Sequence, residues 1–206
     1  MTGSHRTYGG VEGPQRVADR RARLLAAGLD LLGTPDGVLT VRGVCKESGL
    51  IARYFYESFE DIDALAMAVY EEVTAELVDA VAIATASDAE HRLRAGLEAL
   101  VEHLAEDPRR GHVMFVAART NPALTARRPA IVAIFADEIR RLTTPSENLP
   151  ERRLASTARF LVGGFGEVLT SWQDGTLELT HDELVDVCVD LFRATTWKLV
   201  QPSRNR

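Results

Sequence analysis

The chain is poor in the residues that mark several functional classes. It has two cysteines, Cys45 and Cys188, far apart in sequence. That is too few for a disulfide framework or a cysteine zinc site, and two small buried thiols are expected instead. Eight prolines and 15 glycines in 206 residues leave little room for long disordered tracts. No apolar run reaches the roughly 18 residues of a membrane span. The opening stretch MTGSHRTYGGVEGPQ lacks the apolar centre of a signal peptide, so a cytoplasmic protein is expected, with no membrane partner. The histidines, His5, His91, His103, His112 and His181, form no pair at metal-ligand spacing, and no strand-turn nucleophile motif occurs. The composition calls for no catalysis, cofactor or metal.

What is present is helical periodicity. Val17, Leu24, Leu25, Gly28, Leu31 and Leu32 recur at three- and four-residue steps, with arginines on the other face. GTPDG at 33–37 stops this helix. Thr40 is placed to cap a short helix through VRGVCKE, which Ser48-Gly49 breaks. A second short helix, about 51–57, carries Tyr54, Phe55 and Tyr56 beside Arg53. Phe55 and Phe59 suit the core with Leu50. Arg53, Tyr54 and Tyr56 point away from it. Two short helices around a glycine turn, after a longer helix, make a helix-turn-helix. Its outward arginine could bond guanine edges or phosphates, and its tyrosine hydroxyls phosphates. A surface helix whose tyrosines merely cover a neighbour is the other reading.

Charge is divided accordingly. The whole chain carries −6, yet residues 1–59 hold eight basic against six acidic side chains, a balance of +2. The remainder holds 16 against 24, a balance of −8. The N-terminal quarter can meet an anion; the rest is an acidic body.

Further helices are expected over DIDALAMAVYEEVTAELVDAVAIA, DAEHRLRAGLEALVEHLAED (stopped before Pro108), RRGHVMFVAAR and AIVAIFADEIRRL (ended by TTPSENLP). Two more close the chain at about 151–173 and 181–199. The first of these presents Leu154, Ala158, Leu161, Val162, Phe165, Val168, Leu169 and Trp172. The second presents Leu184, Val185, Cys188, Val189, Leu191 and Phe192. Such wide apolar faces suit a two-fold dimer interface. Gly163, Gly164 and Gly166 each cost about 1 kcal/mol in a helix interior, which close approach of a neighbouring helix would offset. A glycine phosphate loop would need a preceding strand, and none is predicted. The fold class is all-α, with about nine helices.

TVRGVCKESGLIARYFYESFEDIDAL, 40–65, resembles the helix-turn-helix signature of the tetracycline-repressor (TetR) family of bacterial transcription regulators, and the helix order over roughly 16–200 is similar too. The resemblance implies a flexible arm at 1–14, a DNA-binding domain at 15–60, and a ligand-binding and dimerisation domain at 61–202. It implies a homodimer through residues 151–200, a palindromic double-stranded DNA operator, and a small-molecule effector that releases it, so that the regulator is a repressor. Carried over by position, Thr40 caps the second helix against the DNA backbone with Arg42 beside it, Arg53 and Tyr54 face bases and backbone, and Tyr56 meets phosphate. Arg16 and Arg6 belong to an arm that could reach a minor groove. The chain departs from the pattern at Ile51, Ser58 and Ile62, where the family often has a capping Ser or Thr, a His or Tyr, and a Lys or Arg. The acidic residues Glu57, Glu60, Asp61 and Asp63 should repel phosphate, although they also suit a helix N-terminus. They are the support for a rival reading, a TetR-like protein whose head no longer binds DNA and acts through protein contacts. The effector should be moderately hydrophobic, in a cavity walled by His112, Met114, Phe115, Arg119, Phe135, Phe165 and Trp172, although for each taken singly ordinary core packing is the first reading.

Overall fold

The computed structural model describes residues 13–87, 91–143 and 151–200. Helix α1, Gly13–Leu32, buries Leu24, Leu25, Ala27 and Leu32. Val17 is 47% exposed, so the apolar stripe begins at Leu24, about two turns later in the helix than the periodicity suggested. Arg16, Arg21 and Arg23 are exposed, although Arg21 lies over the Phe59 ring, 5.0 Å from its centre. Gly28 lets α1 lie close on α4, Ile62–Ser87: a Cβ there would stand 2.9 Å from Val69 Cγ2. Between them come α2, Val41–Ser48, and α3, Ala52–Ser58, both packed on α1.

Helix α4 joins this head to the body. Leu65, Ala66, Val69, Tyr70, Val73, Leu77 and Val81 are all buried along it. Its longest contact is with α5, Arg92–Glu106. Asp107 is extended (φ −141°) and Pro108 opens the next helix, where its missing N–H costs nothing. Helix α6, Pro108–Gly111, then runs straight into a π-helical stretch, His112–Ala117, and α7, Ala118–Thr120. Helix α8 is Pro122–Thr143. It starts well before the Ala130 suggested by the sequence and passes through Pro129. Its start is explained locally: the Asn121 side chain accepts from the N–H of Ala123 (2.9 Å) and Leu124 (3.3 Å), with Pro122 behind it.

The closing pair is α9, Glu151–Gln173, and α10, His181–Val200. The turn between them uses Gly175 at φ 78°. Thr180 and Glu183 then form a capping box, Thr180 N–H donating to Glu183 Oε2 (2.8 Å) and Glu183 N–H to Thr180 Oγ1 (3.3 Å). Helices α4, α5, α8, α9 and α10 enclose the body core with the π-helical stretch. Among the described residues there is no strand, and no helix is long and apolar enough to cross a membrane. The N-terminal arm with Arg6 and the TTPSENLP stop fall almost wholly outside the described residues.

The wide apolar faces of α9 and α10 are largely consumed inside the subunit. Leu154, Ala158, Leu161 and Leu169 are buried, as are Leu184, Val185, Cys188, Val189 and Phe192. The apolar groups left exposed are Leu191 of the expected face on α10, and two that were not named, Phe160 at 66% on α9 and Val187 on α10. At Gly163 and Gly164, three and four residues after Phe160 and so on its face, an added Cβ would meet none of the described residues within 4 Å. Only Gly166 makes the close approach expected of these glycines. Its neighbour is Phe115 of the same chain, not another subunit.

Candidate nucleic-acid interface and ligand cavity

The head is ordered by short-range chemistry. Thr40 is extended (φ −141°, ψ 152°), and its hydroxyl accepts the Gly43 N–H at 3.0 Å, which caps α2. Gly49 ends α2 at φ 66°, a left-handed conformation that side chains resist. The Arg23 guanidinium donates to the Ser48 carbonyl and ties the turn to α1. Ile51 precedes α3 with no side-chain cap and is 62% exposed. Phe55, fully buried, anchors α3 from below, with Phe59 beside it at 5.9 Å between ring centres.

The outer face of α3 carries Arg53, whose side chain is 79% exposed, and Tyr56, 60% exposed. Thr40, Arg42 and Lys46 are exposed on α2 and its cap. Tyr54 differs from its expected outward position: it is half-buried, with the Arg20 guanidinium 4.3 Å above its ring. Arg16 is exposed one turn before Arg20.

Two of the four acidic residues, Glu57 and Asp61, have local partners. Glu57 binds Arg53 through Oε1 (3.0 Å) and lies 3.6 Å from Arg20 through Oε2. It therefore braces two arginines as well as lowering the net charge. Asp61 Oδ1 accepts the Ala64 N–H at 2.8 Å and caps α4.

A second feature joins head to body. Arg109 of α6 bonds Asp107 (2.8 Å and 2.6 Å) and also the Asp30 carboxylate of α1. A Cβ on Gly33 would stand 2.4 Å from Arg109 Cβ, so the end of α1 accepts α6 only because residue 33 has no side chain. The Arg109 guanidinium holds the Asp107 carboxyl below the usual carboxylate range. Sequence reasoning passed over Arg109, because its partner is 79 residues away. Nearby, His103 Nε2 is buried with no hydrogen-bond partner among the described residues; Glu76 is 3.9 Å away. Burial, with Arg110 beside it, pushes the His103 pKa down.

The body holds a cavity of about 80 Å³ among α4, α5, α8, α9, α10 and the π-helical stretch. Phe115, Phe135 and Phe165 stand in its wall, as does Phe192, which the sequence reading placed on a dimer face instead. The other four expected residues lie elsewhere. Met114 is turned to α4, where its sulfur accepts from the Thr74 hydroxyl at 3.4 Å. Arg119 is exposed and 3.6 Å from Glu167. Trp172 donates from Nε1 to the Leu179 carbonyl at 2.9 Å and borders a separate hollow with Pro108. His112 is half-buried outside the wall, and burial lowers its pKa. The π-helical stretch explains part of this. Its wider turn changes which side chains share a face, so spacing rules for an α-helix do not apply across it. Among the described residues of the wall the one ionisable residue is Glu138, unanticipated because ADEIRRL reads as a solvated helix face.

No family model matches the chain, and no curated protein matches it. Solved structures do. It is similar to a TetR-family transcription regulator from Marinobacter aquaeolei VT8 (TM-score 0.62, 19% identity, covering 88% of this chain and 97% of that one). A TetR-family regulator from Streptomyces coelicolor superposes with a TM-score of 0.68 at 19% identity, over 92% of this chain and 83% of that one. The regulator FadR from Bacillus subtilis, solved in complex with stearoyl-CoA, gives 0.64 at 15% identity, over 83% and 96%. The chain has the all-helical fold of these transcription regulators.

Proposed function

We propose that this chain is a TetR-type transcription regulator, a homodimeric repressor that binds a palindromic operator and is released by a small, moderately hydrophobic effector. The observation that carries the reading is the face of α3. Arg53 and Tyr56 stand exposed on a short helix locked to α1 by Phe55, the Gly49 turn and Arg23, and Thr40 and Arg42 are exposed at the start of the preceding helix. That is the chemistry a major groove and its flanking phosphates require. The neighbours in fold add support, being transcription regulators themselves.

The effector acts in the body cavity. At about 80 Å³ it is well below the roughly 300–1,000 Å³ of a typical ligand site, so an effector has to spread its wall. A ligand that binds only a spread wall has the differential affinity that drives a conformational change. Phe115 of that wall lies six residues from Arg109, which bonds Asp30 of the head. Movement at the wall therefore reaches α1 along one continuous helical segment. An apolar-bodied effector agrees in kind with FadR from Bacillus subtilis, whose structure contains stearoyl-CoA.

Each head of a homodimer reads one half-site. The exposed Phe160, with Gly163 and Gly164 on the same face of α9, supplies the apolar surface for pairing. Selection from a randomised duplex library, followed by fluorescence anisotropy over a salt series, tests the reading. A palindromic preference is expected, with Arg53→Ala costing about 1–3 kcal/mol and relaxing one position in each half-site. Absence of any DNA binding at low salt would refute it and favour a head that acts through protein contacts.

A further inference from the structure

The carboxylate of Glu57 stands beside the exposed face of α3, with its side chain 39% exposed. On charge alone it weakens every contact with DNA. Its geometry gives it another task. Oε1 accepts from Arg53 Nε at 3.0 Å, one helical turn back, and among the described residues the two terminal nitrogens of that guanidinium make no hydrogen bond. A guanidinium held at Nε presents those two nitrogens as a fork, which matches guanine O6 and N7. An isolated exposed pair four residues apart contributes little, because ordering two long side chains cancels most of the gain. Glu57 is not isolated. Its Oε2 lies 3.6 Å from Arg20 Nη2 of α1. The Arg20 side chain is only 25% exposed, and its guanidinium lies 4.3 Å above the half-buried Tyr54 ring. The carboxylate is thus gripped from another helix, and Arg53 alone has to be ordered against it.

We propose that Glu57 is a positioning residue for DNA reading. Arg20 and Tyr54 hold Glu57, Glu57 holds Arg53 by Nε, and Arg53 reads a guanine end-on with its two terminal amino groups. The assignment rests on the reading of the head as a DNA-binding unit. It also reverses the sign expected from charge for the specific complex. Loss of the carboxylate raises affinity for DNA in general and lowers the preference for the base under Arg53.

The base is located first, as the position in each half-site that Arg53→Ala relaxes. Fluorescence anisotropy with the full chain then compares three duplexes: the selected operator, the same operator with that base pair exchanged, and a random sequence. Glu57→Ala should lower the preference for the original base about three- to fivefold per half-site, the upper range for an exposed ion pair. It should tighten the random duplex about twofold at low salt. In an Arg53→Ala chain the same substitution should leave the preference unchanged, because no guanidinium remains to be held. Glu57→Gln keeps an acceptor oxygen for Nε and should lose less preference than Glu57→Ala; it stands in should Glu57→Ala fail to fold. A charge effect alone would instead tighten all three duplexes by one factor, equally in both variants. That result overturns the proposal, as does a base other than guanine under Arg53, or a loss of preference that persists without Arg53. A wild-type chain that binds no DNA overturns this assignment together with the regulator reading. A wild-type chain that selects a palindrome, with full preference kept in Glu57→Ala, overturns this assignment alone.

Discussion

Gly166→Ala tests whether the cavity and the π-helical stretch work as described. An added Cβ at residue 166 would lie 2.5 Å from Phe115 Cδ1, 2.9 Å from Cγ and 3.1 Å from Cε1. Carbon atoms rest at about 3.5–4.0 Å, so the ring has to retreat by roughly 1 Å. The Phe115 ring also borders the cavity, and that is the open direction. Alanine improves on glycine by about 1 kcal/mol in a helix interior, while overpacking costs about 1–3 kcal/mol. The net loss is then about 0–2 kcal/mol, which for a chain of this length lowers the Tm by up to about 8 °C. The ring takes roughly one methyl group of space from the cavity. A ligand that gives up one buried methylene loses about 0.8 kcal/mol, so hexanol, as a probe of the cavity, should bind about fourfold more weakly. Urea unfolding at fixed protein concentration measures the first quantity and calorimetry the second. DNA affinity in the absence of ligand should be unchanged. Hexanol affinity equal to wild type would refute the geometry, because the ring would have moved elsewhere. A loss above about 4 kcal/mol would show that the ring cannot yield at all.

Three other outcomes are expected. Gly49→Ala should cost about 1–2 kcal/mol, since its φ of 66° is left-handed, and thermal unfolding with wild-type Tm would contradict this. Phe160→Glu puts a charge in the proposed pairing face and should convert a dimer to a monomer in light scattering; a dimer of undiminished stability would exclude that face. Stability should fall on acidification below about pH 6.5: the unfolded His103 takes up its proton near that value, the buried one only at lower pH, so in between the unfolded state binds more protons. His112, also lowered by burial, adds to the slope. His103→Gln should flatten the pH dependence of the urea midpoint, and an unaltered slope would count against the shift.

The parts of the structure that were legible in the sequence depend on neighbours in the chain. Thr40 as a cap and the break at Gly49 follow from bonds within a few residues, and the inward Phe55 from the apolar spacing around it. Tyr54 was misplaced because its partner, Arg20, belongs to another helix. The helix expected from Ala130 onward begins earlier, and packing carries α8 through Pro129, with Leu124 buried before it and Ile131, Val132 and Ala136 beyond. In the cavity, three phenylalanines fell in the wall on apolar character alone. Glu138 was out of reach, since nothing in a charged residue's own neighbourhood reveals that its helix has turned it inward.

The π-helical stretch at His112–Ala117 also bears on chain length. A π turn holds one residue more than an α turn, so it behaves as an insertion absorbed without a loop. A chain shortened by one residue inside this stretch can restore an ordinary α turn and leave Arg109 and Asn121 where they are. The same deletion in the middle of α9 would rotate everything beyond it by about 100° about the helix axis and carry Gly166 off Phe115. Relatives of different length should therefore differ here more readily than in the helices on either side.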